Sequence, residues 1–60
     1  MMKIRFIAEN DLDCKGSFTK GQVYGCFVKK DIFYFVMDNN LQESWEFCRY
    51  FEELKEEITK

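Results

Sequence analysis

The chain offers few groups for chemistry near neutral pH. It has no histidine, so acid–base work would fall to a tuned carboxylate, Lys, Tyr or Cys, and a Cys–His nucleophile is excluded. Cys14 sits beside Lys15 in a polar stretch, where an ammonium would lower a thiol pKa; without a basic partner it reads as an incidental thiol. Cys14, Cys26 and Cys48 are scattered and do not make the closed four-ligand set that zinc requires. Glu9, Asn10, Asp11 and Asp13 form an acidic loop. Counted from Glu9, it lacks the Gly at the sixth position and the Glu at the twelfth that an EF-hand needs. GSFTKG, residues 16–21, has the wrong order of Gly, Lys and Thr for a phosphate-binding loop. The reading is therefore a non-enzymatic protein with no cofactor and no metal.

The elements that would carry these residues are short. Lys3-Ile4-Arg5-Phe6-Ile7-Ala8 alternates and predicts a first strand with Ile4, Phe6 and Ala8 on one face. Residues 9–21 hold Asn, Asp, Ser and two Gly and predict a long irregular connection, pinned by Leu12 and Phe18. A second strand is expected from about Gln22 to Lys29, a turn at Lys29-Lys30-Asp31, a third strand from Ile32 to about Asp38, and a second turn at Asp38-Asn39-Asn40. From Leu41 the pattern allows two readings. Leu41, Trp45, Cys48, Phe51, Leu54 and Ile58 recur at a helical period, with Asn40 and Glu43 placed as a capping box; alternatively Ser44–Cys48 is a fourth strand and only the tail from about Arg49 is helical.

The stretch GQVYGCFVKKDIFYFVMDNN, residues 21–40, raises the main question. A strand with one wet face alternates apolar and polar residues, yet Phe33, Tyr34, Phe35, Val36 and Met37 are unbroken. A three-residue loop at 29–31 would set Val28 opposite Ile32, Cys26 opposite Tyr34 and Tyr24 opposite Val36. Phe27, Phe33, Phe35 and Met37 would then lie on the other face; they are the candidate partner-binding residues. One cover for that face is the chain's own C-terminal helix, through Phe51, Leu54 and Ile58. The other is a partner, because monomers rarely leave contiguous apolar patches beyond a few hundred Å² open.

Several segments together resemble a known pattern: Lys3-Ile4-Arg5; Phe18-Thr19-Lys20-Gly21-Gln22-Val23-Tyr24; Tyr34-Phe35-Val36-Met37-Asp38-Asn39; Trp45; and Tyr50-Phe51-Glu52-Glu53. The pattern is similar to that of small SH3-like barrel proteins encoded by phages and prophages. It departs from it at Leu41-Gln42, where those proteins usually carry Gly-Glu, and at Cys48-Arg49, where they often turn. The resemblance implies a single mainly β domain over residues 1–60, a small antiparallel barrel or strongly bent sheet with a short C-terminal helix. The alternative is a three-stranded meander with one long helix from about 41 to 59. It also implies a module that binds and modulates or inhibits a host protein, such as a bacterial anti-phage defence factor. Two other classes stay open: a nucleic-acid-binding small barrel and an accessory structural subunit.

Composition narrows these. Sixty residues at 47% hydrophobic and 18% aromatic, with a net charge of −2, make a marginal domain without the basic footprint of a nucleic-acid binder. No apolar run is long enough for a membrane span, and residues 1–10 contain no secretory h-region. The odd cysteine count without C-x-x-C spacing fits reduced thiols in a cytoplasm. The expected partners are a host protein and a second copy of the chain as a homodimer, with neither membrane nor nucleic acid. Folding is expected to need neither metal nor disulfide: melting temperatures with and without chelator and reductant should agree. A drop of more than about ten degrees, over ~1 kcal/mol for a domain this small, contradicts that.

Overall fold

The computed structural model describes residues 1–55. Five antiparallel strands form one sheet: β1 (Met2–Phe6), β2 (Val23–Lys30), β3 (Phe33–Met37), β4 (Glu43–Phe47) and β5 (Phe51–Leu54). Their order across the sheet is β4-β3-β2-β1-β5, so β4 and β5 are the two edges and the sheet is not closed. A single 3₁₀ turn, Cys48–Tyr50, joins β4 to β5. The protein is mainly β. Among the described residues neither expected helix is present: Glu43–Phe47 and Phe51–Leu54 are extended, which overturns the long helix starting at about 41 and the start of a tail helix at Arg49; the expected helical residues 56–59, with Ile58, lie outside the described residues. The helical spacing of Trp45, Cys48, Phe51 and Leu54 is a by-product of two short strands meeting at a one-turn corner.

The sheet is strongly curled. Tyr34 on β3 and Phe51 on β5 touch edge to face with centroids 5.9 Å apart, although in a flat sheet three strand spacings would separate them by about 14 Å. Curling brings the inner-face residues Ile4, Phe6, Tyr24, Cys26, Tyr34, Val36 and Phe51 into one buried cluster, with Phe18 from the long connection completing it. Phe18 stacks on Phe6 at 5.3 Å and meets Tyr24 and Phe51 edge-on at 5.0 and 5.3 Å. A fully buried Phe contributes ~1.5–3 kcal/mol, so Phe6, Phe18 and Phe51 are a large share of what so small a core can supply.

The hairpin register differs from the expected three-residue loop. Lys30 pairs with Phe33, so the turn is Asp31-Ile32, with Asp31 at φ 56. Asp tolerates this left-handed region better than most residues. Val28 pairs with Phe35 while Cys26 pairs with Val36, leaving Phe27 as the extra residue of a β-bulge. The Cys26 thiol donates to the Val28 carbonyl at 3.3 Å across it. Turn and bulge together shift the register by two residues from that expectation, so Cys26 lies opposite Val36 rather than Tyr34 while both keep their side of the sheet. Tyr24, Cys26, Tyr34 and Val36 are therefore buried as expected, but Val28 and Ile32, expected to pair with each other, are 47% and 60% exposed.

Leu41 adopts φ 61 in the β3–β4 turn, where its amide donates to the Asp38 carbonyl at 3.0 Å. A Leu in this region costs roughly 1–2 kcal/mol, and glycine carries no such penalty. Leu41→Gly is therefore expected to stabilise the fold by about 0.5–1 kcal/mol, after the extra chain entropy of glycine is subtracted. A urea titration with an unchanged or lower midpoint contradicts this account of the turn.

Candidate protein-interaction face

The outer face of β2, β3 and β4 is lined with aromatic rings. Cross-strand pairing sets Phe33 opposite Phe47 and Phe35 opposite Trp45. The first pair stacks with centroids 4.9 Å apart and the second is tilted at 4.9 Å. The bulge turns Phe27 outward beside Phe35, at 6.4 Å. Such pairs add ~0.5–1.5 kcal/mol each beyond area burial, so the rings hold one another in place while staying open to solvent. Phe27 is 41% and Trp45 40% exposed; Val28 lies among them on the same face, and Val23, Leu41 and Met1 extend it. Arg49 lies over the Phe47 and Tyr50 rings, 5.1 and 5.4 Å from their centroids.

Phe27, Phe33, Phe35 and Met37 thus share one side of the sheet. Phe27 is exposed and the other three are half-buried against their neighbours. The described part of the C-terminal segment does not cover this side: Phe51 is buried in the core and Leu54 pairs with Lys3 on the far strands, while Ile58 lies outside the described residues. Trp45 and Phe47 belong to the face as fully as the expected four. Their alternation with Glu46 in Trp45-Glu46-Phe47 was the sequence signal, obscured by the overlapping helical period.

The long connection between β1 and β2 is held in an unusual way. Five successive backbone amides donate to side chains rather than to a ladder. Lys15 and Gly16 donate to the Glu46 carboxylate (3.0 and 2.8 Å), Ser17 to Asp38 (2.9 Å), Phe18 to Asp11 (2.8 Å) and Thr19 to the Tyr24 hydroxyl (2.7 Å). Glu46 also accepts from the Ser44 hydroxyl at 2.6 Å, and the Tyr24 hydroxyl donates to Asn39 at 2.8 Å. Asp38 accepts two more amides, Asn40 and Gln42, both at 2.9 Å. Glu46 and Asp38 are only 3% and 5% exposed, and among the described residues no buried side-chain polar atom lacks a partner. Gly16 is required here, because a Cβ would sit 2.9 Å from Asp38 Oδ2 and 3.0 Å from the Phe18 ring.

The arrangement binds backbone, not substrate. The Cys14 thiol is pushed up to about 11, first by burial and then by the Glu46, Asp11 and Asp13 carboxylates. That shift is opposite to the lowering an adjacent ammonium such as Lys15 would give, and it leaves roughly a hundredfold less thiolate than an ordinary thiol for attack at neutral pH. Burial likewise raises Cys26. No cluster of three metal-ligating side chains occurs among the described residues, where no helix is long and apolar enough to cross a membrane. No family model, curated protein or solved structure matches the chain.

Asp38 provides a test of the carboxylate-held loop. Burial raises its pKa, but the amides of Ser17, Gln42 and Asn40 outweigh burial and hold the value below the ordinary 3.8. A depressed folded value contributes stability above the unfolded value, and this is lost as pH falls through the folded one. Asp38→Asn replaces one acceptor with a donor facing an amide, and is expected to cost about 2 kcal/mol at pH 7. The gap seen at pH 7 should narrow in acid, once the pH falls below the ordinary 3.8 and through the lower folded value, as the wild-type carboxyl protonates. Equal gaps in denaturant titrations at both pH values would show that the ionised carboxylate is not the source.

Proposed function

We propose that the chain is a non-enzymatic protein-interaction module that works by laying the outer face of β2–β4 against another protein. Following the resemblance noted in its sequence, the reading extends to a phage-encoded SH3-like barrel whose target is a host protein, such as a bacterial anti-phage defence factor. The observation that carries the proposal is the solvent-open ladder Phe27–Phe35–Trp45 beside Phe33–Phe47. Phe, Trp and Met are the residue types enriched in interface cores, and rings already ordered by one another lose little conformational freedom on binding. The curled five-stranded sheet is compatible with the small-barrel architecture that the resemblance implies. Nothing in the buried carboxylate pair favours catalysis, since each oxygen of Asp38 and Glu46 is engaged by backbone amides or a hydroxyl.

The nucleic-acid reading is less well supported. A stacking platform needs a positively charged groove alongside its rings. Here Arg5 is paired with Glu52 at 3.7 Å, and Glu43 borders the aromatic face opposite Met37. The test is affinity capture from bacterial lysate with tagged wild type and the surface variants Phe27→Asp and Trp45→Asp. A protein bound in near-stoichiometric amount by wild type should bind at least roughly thirtyfold more weakly to each variant, the scale of a hot-spot residue. Binding should persist as salt is raised. Capture that is indifferent to both substitutions, or a nucleic acid released steeply by salt, overturns the proposal; circular dichroism confirms that both variants are folded.

A further inference from the structure

The outer face carries a charge pattern that fits a copy of itself. Its rows follow from the pairing: Lys30, Phe33 and Phe47 at one end; Val28, Phe35 and Trp45 in the middle; Met37 and Glu43 at the other. Lys30 on β2 and Glu43 on β4 are both exposed, occupy diagonally opposite corners, and have opposite signs. Neither forms an ion pair among the described residues. A two-fold axis lying in the face, through Phe35 and perpendicular to the Lys30–Glu43 diagonal, carries each corner onto the other. It sets Lys30 over the second copy's Glu43 twice and packs Phe35 near its own symmetry mate. The corners are separated by two strand spacings and four residues of rise, about 10 and 13 Å. The strands of the two copies would then cross at roughly 70°, within the orthogonal class of sheet packing. Sheets stacked about 10 Å apart leave Lys and Glu side chains within reach of each other. Asp31 lines the hollow beside Lys30, and Asp13 and Lys15 flank Trp45; all three belong to turns or loops at the margin of the rows.

We infer that this face is a self-interface: two copies of the chain pack outer face to outer face in a symmetric dimer, with Lys30 and Glu43 paired at both ends. The inference rests on the reading of the face as a protein-binding surface, and it names the occupant. A foreign target of the same face then displaces one copy, so dimer dissociation precedes its binding. Three strands by five residues give a footprint of about 14 by 17 Å, roughly 240 Å² per copy and well below the ~800 Å² per partner of a standard stable interface, so the dimer is a weak one. The expected dissociation constant is micromolar.

Sedimentation equilibrium of the purified full chain from about 10 to 500 µM tests this without any lysate. Wild type should pass from monomer toward dimer across that range. Lys30→Glu and Glu43→Lys should each weaken the dimer at least about tenfold by placing like charges together. The double reversal should restore it to within about threefold of wild type. Should either reversal unfold the chain, Lys30→Gln and Glu43→Gln remove the charge alone and should weaken it by about threefold. A wild-type monomer throughout, a dimer indifferent to these changes, or a double reversal without rescue overturns the inference. None of these outcomes bears on lysate capture lost with Phe27→Asp, so the failure of the self-interface and the failure of the interaction module are read separately.

Discussion

Two buried carboxylates hold this structure together at its weakest point. The connection between β1 and β2 is too irregular to pair with a strand, so its amides need other acceptors. Glu46 and Asp38 supply them, taking the amides of Lys15, Gly16 and Ser17, while Asp11 takes that of Phe18. The carboxylates are stable in so buried a place because each is met by several donors, which offsets the loss of water. The consequence extends into the core. With its amide fixed, Phe18 seats its ring against Phe6, Tyr24 and Phe51, bridging the adjacent strands β2, β1 and β5. Asp38 and Glu46 lie at the end of β3 and within β4, so the same bonds lock the loop to the half of the sheet that bears the exposed aromatics.

That half has two apolar faces for an identifiable reason. The inner residues of β2 and β3 close the core, and the outer ones are aromatics stacked across strands. The bulge at Phe27 decides the division. It lets Cys26 stay inside while Phe27 and Val28 both turn out, thickening the outer face by one ring. Within the chain, rings cover rings, and this explains why Phe33 and Phe35 are half-buried without any second layer. The arrangement is rigid, because its cross-strand pairs and the buried carboxylates restrain the same strands. Leu41 adds to it: an apolar side chain held at positive φ and 76% exposed gains nothing for the core, so its cost is balanced only by what the side chain does at the surface.

We read the open apolar face as a recognition surface. Several of the side chains that could titrate or attack are committed elsewhere. Cys26 is buried, Cys14 is suppressed first by burial and then by surrounding carboxylates, and Asp38 and Glu46 hold backbone. Fold alone would not carry this argument; the distribution of polar commitments and open rings does.

Alternation in Lys3–Ala8, the unbroken Phe33–Met37 run and the Asx turn at Asp38-Asn39 determined by themselves the first three strands, because strand period and turn chemistry are local properties; the mainly β reading of the whole chain came with the resemblance of its segments to small barrels. Alternation separated Tyr24, Cys26, Tyr34 and Val36 from Phe27, Phe33, Phe35 and Met37, and the resemblance placed the first set inside. Local pattern failed where two periods overlapped. From Leu41 to Leu54 a strand, a corner and a strand reproduce a helical spacing, and only pairing with β3 and β1 selects the extended form. The hairpin register was equally undecidable, since the shifted turn and the bulge together leave Tyr24, Cys26, Tyr34 and Val36 on the same side and move only Val28 and Ile32 off it. The roles of Asp38 and Glu46 were invisible for a different reason: their donors lie about twenty to thirty residues away along the chain, and a carboxylate in a sequence reads as solvated until the fold brings amides to it.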